Sequence, residues 1–304
     1  MRIALSIPSN NGVRDPLALA DLAVLAEELG FDSVWTSEHL THVSYVHARL
    51  GDRPYFHPLA TLSHIAAKTS RIRLGTSVLI LPFHQPFEIA KYVATLDQFS
   101  GGRVTLGVGV GNVPEEFEAM NIPWNRRGAI TTESIQVMQA LWTEEVASFE
   151  GKHWSFSGVR TSPKPVQQPS IPIWVGGNSD AAIRRAARLG TGWHPSAIGP
   201  KDFGESRKGA VDILEEHGRD VSTFDFGVRL NLGVGEAVTT EGERKAFVDG
   251  NDSQALGREL DAYRAAGATY CILAPASDDT DAVAQTLRNV ARDVLPDFPS
   301  DHDR

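Results

Sequence analysis

Two neighbouring side chains, Glu38 and His39, follow the apolar run Asp32–Thr36 and put a carboxylate and an imidazole at one point of the chain. An imidazole exchanges protons near neutrality, and a carboxylate can set its tautomer, so the pair has the chemistry of a general acid/base. The same residues could also cap a loop, since neighbours in sequence need not touch. A second group is Gly176-Gly177-Asn178-Ser179, just ahead of helical spacing over Asp180–Leu189. Free backbone N–H groups, an amide and a hydroxyl there would cradle a phosphate; a tight turn with Asn or Ser as N-cap is the alternative. A third is Gly109-Val110-Gly111-Asn112, where a ligand could approach the backbone closely or the chain could simply turn tightly.

Other residue types are less informative. GVGVGN and GGNS both lack the full glycine spacing of a dinucleotide fingerprint. His39, His42 and His47 lack the carboxylate-plus-histidine spacing of metal-binding helices, so no metal site is expected. The single cysteine, Cys271, reads as core packing and excludes an intrachain disulfide. Arg184, Arg185 and Arg188 read as a solvated helix face from which one could reach an anionic tail.

The elements that must position these groups alternate between strands and helices. Arg2–Ile7, Asp32–Thr36, Ile72–Leu81, Val104–Val108, Ile171–Val175, Gly192–His194, Phe224–Leu230 and Tyr270–Leu273 read as eight strands. Largely apolar, β-branched runs with no alternation, such as Ile72–Leu81, suit parallel strands buried on both faces. Helical spacing fills the intervals, for example Pro86–Ser100, with Ile89, Tyr92, Val93, Leu96 and Phe99 on one face and Gly101-Gly102 as the stop. AEELGFDSVW, AARLGTGWHP and RAAGATYCIL repeat the order helix end, glycine, strand. Eight such units in 304 residues predict one closed (β/α)8 barrel over 1–304, with sites on the loops at the strand C-terminal ends. Residues 41–56 show no periodicity and read as a long loop over the site, and residues 239–253 as a mobile segment.

The totals exclude several classes. A net charge of −9 argues against nucleic acid as a partner. Absence of a long apolar run or an apolar leader predicts neither secretion nor a membrane span, and the one cysteine fits the cytoplasm.

Taken together, GFDSVWTSEH (30–39), RIRLGTSVLILP (71–82), LDQFSGGRVTLGVGVG (96–111), EEFEAMNIPW (115–124), PKPVQQPSIPIWVGGNS (163–179) and DAYRAAGATYCILAP (261–275) resemble the bacterial luciferase-like flavin and deazaflavin oxidoreductases. Within that family the wording is most similar to enzymes using coenzyme F420. The resemblance implies a barrel with an insertion after the fourth strand, at about 112–170. It implies His39 as acid/base at the reacting edge of the cofactor, with Glu38 beside the ring. A non-proline cis peptide at Ser77–Val78 would back one ring face. Val110, Gly111 and Asn112 would line the cofactor, and Gly176, Gly177, Asn178 and Ser179 would hold its phosphate. Asn112 stands where relatives often carry tryptophan or an acid, and Ile130 where they tend to carry arginine.

The implied activity is hydride transfer between deazaflavin C5 and a small organic substrate. Tyr45, Trp193 and His194 could line its pocket, and Trp193 could equally be plain barrel packing. The alternative is a two-component monooxygenase using reduced flavin mononucleotide and oxygen, with a separate reductase as partner. The resemblance also implies a homodimer.

Overall fold

The computed structural model describes residues 1–234 and 247–298. Its strands are β1 (Arg2–Ser6), β2 (Ser33–Thr36), β3 (Arg73–Thr76), β4 (Leu79–Ile80), β5 (Val104–Gly109), β6 (Ala147–Glu150), β7 (Ser155–Val159), β8 (Ile173–Gly176), β9 (Gly192–His194), β10 (Asp225–Gly233), β11 (Phe247–Asp249) and β12 (Tyr270–Pro275). Eight of these, β1, β2, β3, β5, β8, β9, β10 and β12, pair in parallel in chain order, and β12 closes the ring on β1. The molecule is a TIM barrel, with its helices packed around the ring. The helices are α1 (Pro16–Glu28), α2 (Ser44–Leu50), α3 (Pro58–Lys68), α4 (Pro86–Ser100), α5 (Pro114–Ala119), α6 (Arg127–Thr143), α7 (Asp180–Leu189), α8 (Pro200–Glu216), α9 (Ser253–Ala265) and α10 (Thr280–Asp293).

Local chemistry sets several helix ends. Asp15 accepts from Leu17 N and Pro16 follows it, which starts α1. Gly101, at φ +68°, ends α4 in the left-handed conformation that glycine adopts without a Cβ penalty. On α4 the buried face is Ile89, Ala90, Val93, Ala94, Leu96 and Asp97, whereas Phe99 is 81% exposed and Tyr92 lies at the edge, its hydroxyl 3.0 Å from Ser63 Oγ. The apolar face expected from spacing is therefore rotated. Asp97 explains it: its carboxylate accepts from Val166 N, Gln167 N and Gln167 Nε2, anchoring the proline-rich return to β8.

Inside the barrel, Ala4, Trp35, Trp174, Tyr270 and Ile272 form the plug, with the two tryptophan rings 4.9 Å apart. A Cβ on Gly75 would come within 2.3 Å of the Trp35 ring, so a wall glycine makes room for an interior tryptophan. Outside, the larger core cluster joins strands to helices.

Two expectations change. Residues 41–56 contain α2, which buries Val46 and Leu50 four positions apart. The run expected as one strand over 72–81 is broken: β3 ends at Thr76, β4 covers two residues, and a 3-10 turn follows over Leu81–Phe83, while the Ser77–Val78 peptide is cis as the resemblance implies. Between β5 and β8 the chain forms α5, α6 and an antiparallel β6–β7 hairpin. Of the segment expected to be mobile, 239–246 lies outside the described residues, while 247–253 holds β11 and the start of α9. No helix among the described residues is long and apolar enough to cross a membrane.

Candidate active site

At the C-terminal rim, β2 runs into Ser37-Glu38-His39, and successive side chains leaving an extended segment point opposite ways. Glu38 turns into the wall. Its Oε2 accepts from Ile80 N at 2.6 Å and its Oε1 lies 2.8 Å from His84 Nε2, so the buried carboxylate holds the irregular segment after the cis peptide. His39 turns toward the mouth. Its Nδ1 lies 2.6 Å from Glu116 Oε2, and its Nε2 lies 2.6 Å from the Tyr45 hydroxyl. Glu116 Oε1 accepts from Leu40 N at 3.0 Å and from Thr41 N at 3.2 Å.

The neighbour in sequence is thus not the carboxylate that fixes the imidazole. With Glu116 as acceptor, the hydrogen sits on Nδ1 and the Nε2 lone pair faces Tyr45, a tautomer assigned from these partners. The Tyr55 ring meets His39 edge-on at 5.6 Å, and its hydroxyl donates to Ser37 Oγ at 3.3 Å. Burial raises the phenol pKa of both Tyr45 and Tyr55, which keeps them neutral donors.

Val78 occupies a gap between two glycines. A Cβ on Gly109 would meet Val78 Cγ2 at 2.5 Å, and one on Gly176 would meet Val78 Cγ1 at 2.9 Å. At Gly111, φ is +79° and an added Cβ would strike the Phe117 ring at 2.7 Å. Packing within the protein therefore already demands glycine at 109, 111 and 176. Val110 is half-buried and Asn112 is exposed beside them.

The 176–179 turn opens outward, with Gly177 half-buried and Asn178 and Ser179 exposed. Ser179 is the N-cap of α7, its Oγ accepting from Ala182 N at 3.3 Å. Asn178 is latched to Ser196: its Nδ2 donates to Ser196 O at 2.7 Å and its Oδ1 accepts from Ser196 N at 3.0 Å. Among the described residues no protein acceptor meets the N–H groups of Ser179, Asp180 and Ala181. Such orphan donors at a helix start suit an anionic group, so the turn fits a cofactor phosphate. Arg185 points elsewhere, binding Thr132 Oγ1 and Gly128 O of α6, while Arg184 and Arg188 face solvent.

The expected substrate residues separate. Tyr45 is on the mouth, 46% exposed. His194 faces the interior, its Nε2 2.8 Å from Ser77 Oγ. Burial first, and then the positive charge of Arg229, push its imidazole down from 6.5 to about 3, so it is neutral. Trp193 must be removed from the pocket. Alternation on β9 sends its ring outward, fully buried and stacked on Phe203 of α8 at 5.4 Å. Its Nε1 donates to Gly177 O at 2.8 Å, so it braces the 176–179 turn from behind. His42 binds Gly51 O and His47 is exposed, and among the described residues no three His, Cys, Asp or Glu side chains gather as a metal site.

Sequence reasoning missed Glu116 and Arg229 as site residues. Glu116 sits in the first turn of α5, where acids are common for dipole reasons alone, and only its complete burial sets it apart from Glu115.

Comparison with known proteins places this architecture. The chain is 35% identical over 226 residues to an F420-dependent glucose-6-phosphate dehydrogenase of Kineococcus radiotolerans, 73% of this chain and 65% of that one. It superposes on monooxygenase RslO1 from Streptomyces bottropensis with a TM-score of 0.79 at 25% identity, covering 98% of this chain and 100% of that one. An F420-dependent secondary alcohol dehydrogenase, in complex with an F420-acetone adduct, has the same fold at 18% identity, with a TM-score of 0.81 over 96% of this chain and 98% of that one. The family model described as luciferase-like monooxygenase matches residues 1–298, and on that match the chain belongs to the luciferase-like monooxygenase family of oxidoreductases.

Proposed function

We propose that this protein is a coenzyme F420-dependent oxidoreductase that moves a hydride between deazaflavin C5 and a small organic substrate, with His39 as the acid/base. The observation that carries the reading is the clamp on His39: Glu116 fixes Nδ1, and Nε2 faces the mouth through a single phenol. Bound F420 would supply the carbon that takes or gives the hydride. The chain does the rest. The 176–179 turn holds phosphate on its unpaired N–H groups, Val78, Val110, Gly111 and Asn112 line the ring, and Glu38 keeps residues 77–80 in place. His39 takes or returns the proton that accompanies the hydride, and Tyr45 moves aside or relays it. Asn112 has no acidic hydrogen and is assigned no proton. The F420-dependent relative at 35% identity supports the choice of cofactor.

A second reading, a two-component monooxygenase using reduced flavin mononucleotide and oxygen, is favoured by the likeness to RslO1 over almost the whole chain. A separate reductase would then be its partner. Titration with both cofactors separates the two: micromolar or tighter F420 binding with weak flavin binding is expected, and the reverse order overturns the F420 assignment. Under either reading the protein is proposed to act as a homodimer in the cytoplasm; a monomer by sedimentation would remove the dimer.

A further inference from the structure

Among the described residues no hydrogen bond or ion pair reaches the guanidinium of Arg229. On β10 the residues alternate: Val228, Leu230 and Leu232 belong to the outer core, while a Cβ on Gly227 would lie 2.9 Å from the Trp174 ring and 3.5 Å from His194 Nδ1. Arg229 shares the inward parity of Gly227, and it pairs in register with Ile272 of the barrel plug. Its Nε is sealed from solvent and bonded to nothing, and among the described residues no carboxylate pairs with the side chain. The groups close enough to act on its charge are the phenols of Tyr55 and Tyr45 and the guanidinium of Arg49, and it acts in turn on His194. Burial lowers its own pKa, a sign of how little solvates it.

Arg127 and Arg207 also leave a buried Nε unbonded, but both guanidiniums lie over aromatic rings, of Trp124 and Phe226, whereas no ring among the described residues covers Arg229. Arg103 is buried, whereas Arg229 is half-buried with only its Nε sealed, and Arg103 gives its donors to Ser100 O, Thr69 Oγ1, Ile72 O, Ala66 O and Thr69 O. Arg53 in the rim loop is paired with Asp278. A buried cation is ordinarily paired or fully hydrogen-bonded, because removal from water without replacement is costly. Arg229 is near enough to interact electrostatically with Tyr45, the phenol that touches His39.

We propose that Arg229 determines specificity by binding a carboxylate of the organic substrate, which turns the reacting carbon toward His39 Nε2. A planar guanidinium fork matches a carboxylate in two parallel hydrogen bonds. A monoanion is favoured over a phosphate ester because Arg229 offers one fork beside a neutral imidazole, while the nearby Arg49 guanidinium already donates to Asn11 Oδ1. The inference rests on reading the mouth as the substrate site.

The test uses the full-length protein without added cofactor, titrated calorimetrically with benzoate against benzamide and hexanoate against hexanamide. Wild type should bind each acid at least about tenfold more tightly than its amide. Arg229→Met should abolish that preference, and Arg229→Lys should keep part of it. Should Met not be tolerated, Arg229→Gln reads the same quantity. F420 and flavin affinities should change less than about threefold in these variants. No acid preference in wild type, a preference surviving in the Met and Gln variants, or tighter binding of phenyl phosphate than benzoate would each overturn the proposal. So would loss of cofactor affinity with the acid preference intact, which would give the guanidinium to the ring. Because the acid–amide comparison needs neither cofactor, its failure leaves the proposed F420 chemistry to its own titration.

Discussion

Glu116 Oε2 lies 2.6 Å from His39 Nδ1 across 77 positions of sequence, and both side chains are withdrawn from solvent, Glu116 completely. The other carboxylate oxygen holds the Leu40 and Thr41 N–H groups. One residue on α5 therefore sets the ring orientation, the tautomer and the path of the loop that leaves β2. Buried carboxylates with several donors around them make rigid supports of this kind.

Replacing Glu116 by Gln keeps the shape but can present an N–H to Nδ1, which would force the other tautomer and put the hydrogen on Nε2. Turnover should fall by about 10²-fold or more, within the range for a positioned acid/base, while cofactor affinity changes less than about threefold. His39→Ala should cost about 10²–10⁴-fold, and the Glu116→Gln loss should vanish in that background. Additive losses in the double variant would show that Glu116 acts on something other than the imidazole.

Glu38 should behave as a structural residue. Removing it in Glu38→Ala strands Ile80 N and His84 Nε2, and each buried unsatisfied group costs about 1–3 kcal/mol. Urea unfolding should show a loss of that size, with Glu38→Gln losing less. Wild-type stability in Glu38→Ala combined with lost turnover would return the residue to the chemistry.

Much of this architecture was legible in the sequence, and the reasons are local. A fully buried parallel strand announces itself as an apolar run, and a glycine after α1, α4, α7 and α9 marks the return to the barrel, so the eight strands stood out. The break after Thr76 did not stand out from local pattern, because Thr76 and Ser77 are small residues that a buried strand also accommodates. It exists because Val78 turns into a space that Gly109 and Gly176 leave open 31 and 98 residues later. Whether Trp193 or His194 faces inward depends on the register of a three-residue strand, which no periodicity that short can settle. Arg229, amid FGVRLNLG, was hidden by apolar neighbours although the alternation there is regular.

The seat of Val78 makes a compensating pair. Gly109→Ala would drive a methyl into Val78 Cγ2, and overpacking of this kind costs about 1–3 kcal/mol. Val78→Ala in the same chain should restore most of the lost stability and any lost cofactor binding. Failure of the second change to rescue the first would place the strain at Gly109 in the backbone.

His194 should make stability depend on acid. Its folded pKa of about 3 lies below the ordinary 6.5, so between those values the unfolded chain binds the proton and the native chain does not. Stability is then fully present above about pH 6.5 and falls with decreasing pH, at up to about 1.4 kcal/mol per unit, until about pH 3. Between pH 7 and pH 5, urea titrations should show wild type losing roughly 2 kcal/mol more than His194→Gln, whose side chain can keep a hydrogen bond to Ser77 Oγ without titrating. Arg229→Met should raise the pH at which the fall stops above about 3 and leave the slope between pH 7 and pH 5 nearly unchanged, since the guanidinium is the second cause of the depression after burial. Equal slopes in wild type and His194→Gln would mean that water reaches the imidazole and lets it titrate normally in the folded protein.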